Sequence, residues 1–437
     1  MLKLFTAALL LCVAAQTAPA QSTDALRRET FETVWRTVKE NHFDPTFGGL
    51  DWEAVGERYR PLAAAAKTDA EFYGVLRRMI AELRLSHFAI FPPGALDAVP
   101  PSQGGVKAER GSAGIDVRVL GGRAVVTRVD PGSAAERAGL RTGFVIQRVD
   151  KQDVTQAIAR LAASDLSEGY KRAYMHGAAL GPLAGPAGAK RVVTYLDGRD
   201  RPGEATLTLL PSPDEMSEPF GSFPAVPAQF EARRFGDVGY VRFNIWVVPQ
   251  MEKLRRAVRE MADTRALVFD LRGNPGGLGV MAAGLAGLLT EKEFSLGALM
   301  QRRGHNNFIA NPQPGAYLGR VVILADGLSG STSEVFALGM QEAGRATVVG
   351  ETTAGAALPS IFTRLPTGAT FQFAFADFKT PKGVRVEGRG VIPDVSLRLD
   401  RRSLLAGRDP QLEAALRVAR GGATPARRTY HPRRETR

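Results

Sequence analysis

Cysteine is almost missing from this chain: its 437 residues hold one, Cys12, beside five histidines and three tryptophans. A single thiol excludes an internal disulfide framework and a Cys-rich zinc site. The histidines are scattered, with no H-E-x-x-H or comparable ligand spacing, so neither a metal nor another cofactor is expected. No stretch of 18 consecutive apolar residues occurs, which argues against a membrane-spanning helix. Acid is the scarcer charge, 45 Asp and Glu against 57 Lys and Arg, for a net charge of +12. Such a balance raises the question of nucleic acid. The arginines are scattered, however, and no nucleic-acid motif is present. The excess reads instead as solvated surface, with an acidic envelope surface as a fitting contact.

What is present begins with Met1-Leu2-Lys3, an apolar run over residues 4–15, and Ala18-Pro19-Ala20. A basic start, a short apolar run and an A-x-A site are the pattern of a secretory signal peptide, here residues 1–20. Removal of that segment would take Cys12 with it and send the chain to the periplasm or outside the cell. A lipoprotein acylated at Cys12 is the rival reading. Residues 21–105 read as helical, ending in a Pro/Gly-rich linker. Leu26, Phe31, Val34, Trp35 and Val38 fall on one helix face, and further helices are expected over 52–65 and 69–85. Residues 106–211 change to short β runs punctuated by glycine. From 212 to 420 strands and helices alternate, which predicts an α/β core built on a mainly parallel sheet. Residues 421–437 form a polar, basic tail, expected to be disordered.

Chemistry is suggested by two strings that each follow a buried strand. One is Asp326-Gly327-Leu328-Ser329-Gly330-Ser331-Thr332-Ser333-Glu334, opening a helix. A serine there can present its hydroxyl where free N–H groups gather. Ser331 or Ser333 could equally serve only as a helix cap. The string lacks the G-x-S-x-G elbow of α/β-hydrolases. The other is Phe269-Asp270-Leu271-Arg272-Gly273-Asn274-Pro275-Gly276-Gly277, a glycine-rich turn with no Gly-Lys-Ser/Thr behind it.

Further motifs make the order distinctive: Val349-Gly350-Glu351-Thr352-Thr353-Ala354-Gly355 and Gly388-Arg389-Gly390-Val391-Ile392-Pro393-Asp394-Val395. Together the four strings resemble the C-terminal processing (tail-specific) peptidase superfamily. Residues 131–146, Pro131-Gly132-Ser133-Ala134-Ala135 through Gly143-Phe144-Val145-Ile146, resemble a PDZ domain inserted before the core. That resemblance implies that Gly114, Ile115 and Asp116 lie in a loop that binds a substrate carboxylate, with peptides docking by strand addition. The stretch from Asp153 to Gly188 is long for such a domain and reads as an insertion.

On the family pattern Ser331 is the nucleophile, with oxyanion donors at Thr332 and in the Gly276-Gly277 turn. The Ser/Lys branch has a lysine where this chain has Ala356. The tricorn-core-like branch instead uses a Ser-His-Ser-Glu tetrad, and Leu85-Ser86-His87-Phe88 together with Glu387 fits it. The resemblance therefore implies an exported serine endopeptidase acting on proteins or peptides. His87 would be the base, and Ser86 and Glu387 would orient it. Two alternatives stay open: an inactive binding or scaffold protein of the same fold, and a peptidase using a relocated lysine such as Lys382. An ordinary histidine base predicts activity that rises near about pH 6–7. His42, His176, His305 and His431 match no catalytic position.

Overall fold

The computed structural model describes residues 23–95, 109–164, 166–219, 223 and 225–422. The expected signal segment with Cys12, most of the expected linker and nearly all of the basic tail with His431 lie outside those residues.

Three helices come first among the described residues: α1 (Thr23–Asn41), α2 (Trp52–Ala64) and α3 (Asp69–Ala81). Phe31, Val34 and Val38 are buried on one side of α1, at the spacing the sequence suggests. Asp51 and Thr68 start α2 and α3 by accepting the amides of Ala54 and Glu71. Helix α3 ends at Ala81, short of the expected Leu85. The chain then turns through Arg84, at a φ of 53°, into Ser86-His87. Strand Ala89–Phe91 follows and pairs antiparallel with Thr370–Ala374, far along the chain. Phe371, Phe373, Leu358 and Leu365 consequently pack in one cluster with Phe72, Leu76 and Met79. His87 sits at this seam between the helical region and the core.

The β-rich part is a six-stranded antiparallel sheet: five strands follow chain order from Ile115–Leu120 at one edge to Pro202–Thr208 at the other, and the short Gln152–Asp153 pairs beside Val145–Val149. It carries α4 (Ala134–Arg137), α5 (Val154–Ala162) and α6 (Glu168–Leu180). The stretch expected as an inserted loop is thus largely two helices. Helix α6 packs against α5 and along the edge strand Ile115–Leu120.

The core is a six-stranded sheet ordered Phe230–Phe235, Val238–Phe243, Ala266–Asp270, Arg320–Ala325, Ala346–Gly350 and Val395–Ser396. Its first pair is antiparallel and the others are parallel, as the alternation of elements predicts. All five residues of Ala266–Asp270 are buried, which is the pattern of a parallel strand covered on both faces. Leu267 and Phe269 point to a cluster with α7 (Val248–Glu260), α8 (Val280–Gly287) and α9 (Thr332–Glu342). Ala266 and Val268 point to the other face. There α11 (Pro410–Ala419), which follows the short α10 (Arg401–Leu405), supplies Ala414, Ala415 and Val418. Because the strands run parallel, the loops after Asp270, Ala325 and Gly350 leave the same edge of the sheet. That arrangement gathers residues 271–277, 326–331 and 351–357.

Candidate active site

Three serines precede or open α9, and burial separates them. Ser329 and Ser333 are each 1% exposed. The Ser329 hydroxyl donates to Leu271 O at 2.7 Å and accepts the Asp326 amide at 3.0 Å. Ser333 donates to Asn274 O at 3.0 Å and accepts the Trp246 indole N–H at 2.8 Å. Both hydroxyls tie α9 to the 271–277 turn and are committed to structure. Ser331 alone keeps exposed surface. It sits at the mouth of α9 with φ 52° and ψ −118°, a region that costs a non-glycine residue about 1–3 kcal/mol.

The turn opposite closes tightly on it. A Cβ on Gly276, at φ 105°, would lie 2.6 Å from Ser331 Cβ and 2.9 Å from the Thr332 amide nitrogen. Only glycine fits both the conformation and the space. The Gly276 amide itself donates to Asn274 Oδ1 at 3.0 Å. Among the described residues the neighbouring Gly277 amide has no such acceptor. The Thr332 hydroxyl donates to Gly277 O at 2.8 Å, which locks α9 to the turn. Gly277 N–H and Thr332 N–H, the latter in the first turn of a helix, are therefore the unspent donors beside Ser331.

On the seam, Ser86, His87 and Glu387 meet. The Ser86 amide and hydroxyl donate to the two oxygens of Glu387 at 2.7 and 2.8 Å, and the hydroxyl lies 2.7 Å from His87 Nδ1. A hydroxyl has one proton. With that proton directed to the carboxylate, Ser86 accepts from Nδ1–H, so Nε2 of His87 carries the free lone pair. Burial pushes the imidazole pKa down to about 4, although the residue keeps some exposed surface. Burial likewise raises Glu387, against the pull of bonds from Ser86 and from the Ala357 amide at 3.1 Å. The residue before, Ala356, accepts the Ser331 amide at 2.8 Å. Two adjacent residues thus tether Ser331 on one side and Glu387 on the other.

Lys382 is not part of this cluster. Its ammonium reaches Glu342 O at 3.4 Å, at the far end of α9. Ten residues separate Thr332 from Glu342, about 15 Å at 1.5 Å per residue. A relocated base at Lys382 is thereby excluded. His42 is buried among Phe43, Phe47 and Phe88, and His305 is exposed on a strand.

The loop at Gly114, Ile115 and Asp116 faces the core. Gly114, at φ 65°, leaves no room for a Cβ, which would meet Ser133 Cβ at 2.2 Å. Asp116 pairs with Arg118 at 2.5 Å and with Arg242 of the core at 3.0 Å. Burial alone would raise its carboxyl, but the two guanidiniums outweigh that and hold it well below the ordinary range. Arg118 continues to Asp326 at 3.1 Å, and Asp326 also takes the Gly273 amide at 2.9 Å. A buried ion network therefore joins the β-rich part to the turn beside Ser331.

Sequence reasoning missed α6. Its Gly169 abuts Ala354 O, where a Cβ would come within 2.6 Å, and Arg172 lies over Gly327. The Tyr170 hydroxyl is buried beside the amides of His87 and Phe88, and burial raises its pKa. His176 reaches the backbone of Val117 in the edge strand. The sequence signal was weak because glycines and tyrosines blur the apolar stripe of this helix.

Comparison with known proteins matches this layout. Residues 237–397 match the model of peptidase family S41, residues 23–81 that of the tricorn protease C1 domain, and residues 103–171 that of a PDZ domain. A carboxyl-terminal-processing protease of Synechocystis sp. is 26% identical over 406 residues, covering 90% of this chain and 87% of its own. Putative tricorn protease homolog 2 of Streptomyces coelicolor is 25% identical over 413 residues, 90% of this chain and 32% of its own. Among solved structures, a photosystem II D1 C-terminal processing protease superposes with a TM-score of 0.57 at 23% identity, covering 92% of this chain and 99% of that one.

Proposed function

We propose, from the premise that this chain is a serine-type peptidase of family S41 with tricorn C1 and PDZ domains, that it is an exported endopeptidase using Ser331, His87, Ser86 and Glu387. One observation carries the assignment: the Ala356-Ala357 pair holds Ser331 and the Glu387–Ser86–His87 chain together.

In this reading Ser331 Oγ attacks the scissile carbonyl and its proton passes to Nε2 of His87. The new oxyanion is held by Gly277 N–H and Thr332 N–H, with Gly276 shaping the turn rather than donating. His87 then protonates the leaving amine, and the C–N bond breaks to leave an ester on Ser331. Water, deprotonated by the same imidazole, hydrolyses that ester. Ser86 and Glu387 fix the tautomer and balance the imidazolium. The name borne by its relatives supports a substrate trimmed near its C-terminus. The PDZ segment Gly114–Asp116 and the edge strand Ile115–Leu120 would engage that tail by strand addition, in the place α6 now holds. The N-terminal sequence supports action in the periplasm or outside the cell.

A fluorophosphonate probe tests the assignment. Expected is a single adduct, mapped by mass spectrometry to Ser331, whose rate falls about 10²-fold or more in His87→Ala. An adduct elsewhere, or a rate indifferent to His87, would remove the pair from the mechanism. Gly276→Ala is expected to lower kcat about 10²–10³-fold with less effect on KM, because its Cβ displaces the Ser331–Thr332 backbone. Steady-state kinetics on a peptide substrate check this; an unchanged kcat would show that the close approach is irrelevant to catalysis.

A further inference from the structure

Glu334 lies in the first turn of α9 and is 0% exposed, yet among the described residues no cation pairs with it. Four donors converge on its carboxylate instead. Oε1 accepts the Thr353 hydroxyl at 2.5 Å and the Gly355 amide at 2.7 Å. Oε2 accepts the Ala356 amide at 2.9 Å and the Ser331 amide at 3.1 Å. Two of these partners flank the tether already described, since Ala356 also accepts the Ser331 amide. The Thr353 hydroxyl in turn accepts the Val391 amide at 2.7 Å.

We infer that ionised Glu334 is a positioning residue for the nucleophile, holding Ser331 in its strained backbone conformation and fixing the 353–356 segment that carries Ala356 and Ala357. The inference rests on the reading of Ser331 as nucleophile. Its chemical basis is the donor set. Every partner that reaches the carboxylate presents a proton, so only an acceptor-only group satisfies all four. A proton on Oε2 faces two amides that can only donate, a proton on Oε1 must displace the Gly355 amide or turn the Thr353 hydroxyl away, and a buried donor left without an acceptor is costly. The strain makes the consequence catalytic. Ser331 at φ 52° and ψ −118° holds that geometry only while its surroundings over-determine it. Loss of the Glu334 contact lets both the serine and Ala356 relax, and small misplacements of a nucleophile cost large factors in rate.

The groups in contact with Glu334 are uncharged donors. Titratable groups on the segments packed around it are Glu387, reached through Ala357, His87 behind Glu387, and Glu351, which turns away to Gln411. Burial raises the Glu334 carboxyl to about 7, the four bonds acting in the opposite direction. The ionised, aligned form therefore declines as pH falls through neutrality.

The test measures the fluorophosphonate labelling rate of Ser331 from pH 4.5 to 9 in the wild-type chain, Glu334→Gln and Thr353→Val. A wild-type chain that does not label at all overturns the nucleophile reading and is recognised before the variants are compared. Given wild-type labelling, the rate is expected to drop as pH falls through about 7. In Glu334→Gln it should be about 10²-fold lower at pH 8, with that drop absent. In Thr353→Val, which removes one bond to the ionised form, the drop should move upward by roughly one pH unit. A purely structural role would not move a titration midpoint. A Glu334→Gln chain with the wild-type rate and profile overturns the proposal. So does a Thr353→Val chain whose midpoint stays in place, and this second variant decides the matter if Glu334→Gln does not fold.

Discussion

Ser331→Ala is expected to lower kcat by at least about 10⁴-fold while leaving the thermal midpoint and peptide binding nearly unchanged. The chemical half of this expectation follows from removing the atom that the proposed mechanism uses to form the acyl bond. The structural half follows from what the substitution spares. Both contacts of the Ser331 amide, to Ala356 O and Glu334, belong to the backbone and survive. Alanine meets the same strain at φ 52° as serine does, so no new cost arises. Neighbouring serines provide the contrast. Ser329→Ala leaves the Asp326 amide without its acceptor, and Ser333→Ala does the same to the Trp246 indole, each at about 1–3 kcal/mol. Those two variants should melt earlier yet retain turnover while folded. Kinetics on a peptide substrate and a thermal scan separate the cases. Wild-type turnover in Ser331→Ala would sink the assignment.

The strings around Asp270, Ser331 and Glu351 were legible in the sequence because each is a local device, a buried strand followed by a turn, and the Gly388 string because its glycines lead into the short strand Val395–Ser396. The parallel sheet came with them, since alternating strands and helices leave few other topologies. The distinction among the three serines was not legible. It depends on carbonyls of Leu271 and Asn274, which reach α9 only through the fold. Glu334 read as the end of a motif, because its other donors lie 19–22 residues further on. The pairing of Ala89–Phe91 with Thr370–Ala374 joins distant segments with no local signature. The match of Ser86-His87 to Glu387 was visible only as a resemblance; its bonds span 301 positions. The expected histidine limb near pH 6–7 assumed a solvated imidazole, and burial at the seam removes that assumption.

His87→Ala is expected to lower kcat about 10³–10⁶-fold, and the pH dependence of the remaining variants should reveal where His87 titrates. In the folded chain the imidazole pKa is lowered to about 4, against 6.5 for an ordinary histidine. The neutral form therefore persists through pH 5–8, and if His87 is the base proposed above, its protonation is expected to silence turnover only as pH approaches 4. Any acid limb near 7 then belongs to Glu334. The two are separable, because Glu334→Gln should leave a reduced rate that stays flat from pH 8 to about 5 before it falls. The same shift carries a stability consequence with a definite sign. Between pH 6.5 and 4 the unfolded chain binds a proton at His87 that the folded chain refuses. Stability contributed by keeping His87 neutral is thus present above pH 6.5 and lost as pH falls toward 4. Its full extent is roughly 3 kcal/mol, at 1.36 kcal/mol per unit of pKa difference. Denaturant titrations of wild type and His87→Ala at pH 7 and pH 4.5 measure it: the variant should lose less stability than wild type over that interval. An equal loss, or a residual Glu334→Gln rate that follows a single ionisation near 6.5, would show that His87 is solvated and that the seam does not shield the base.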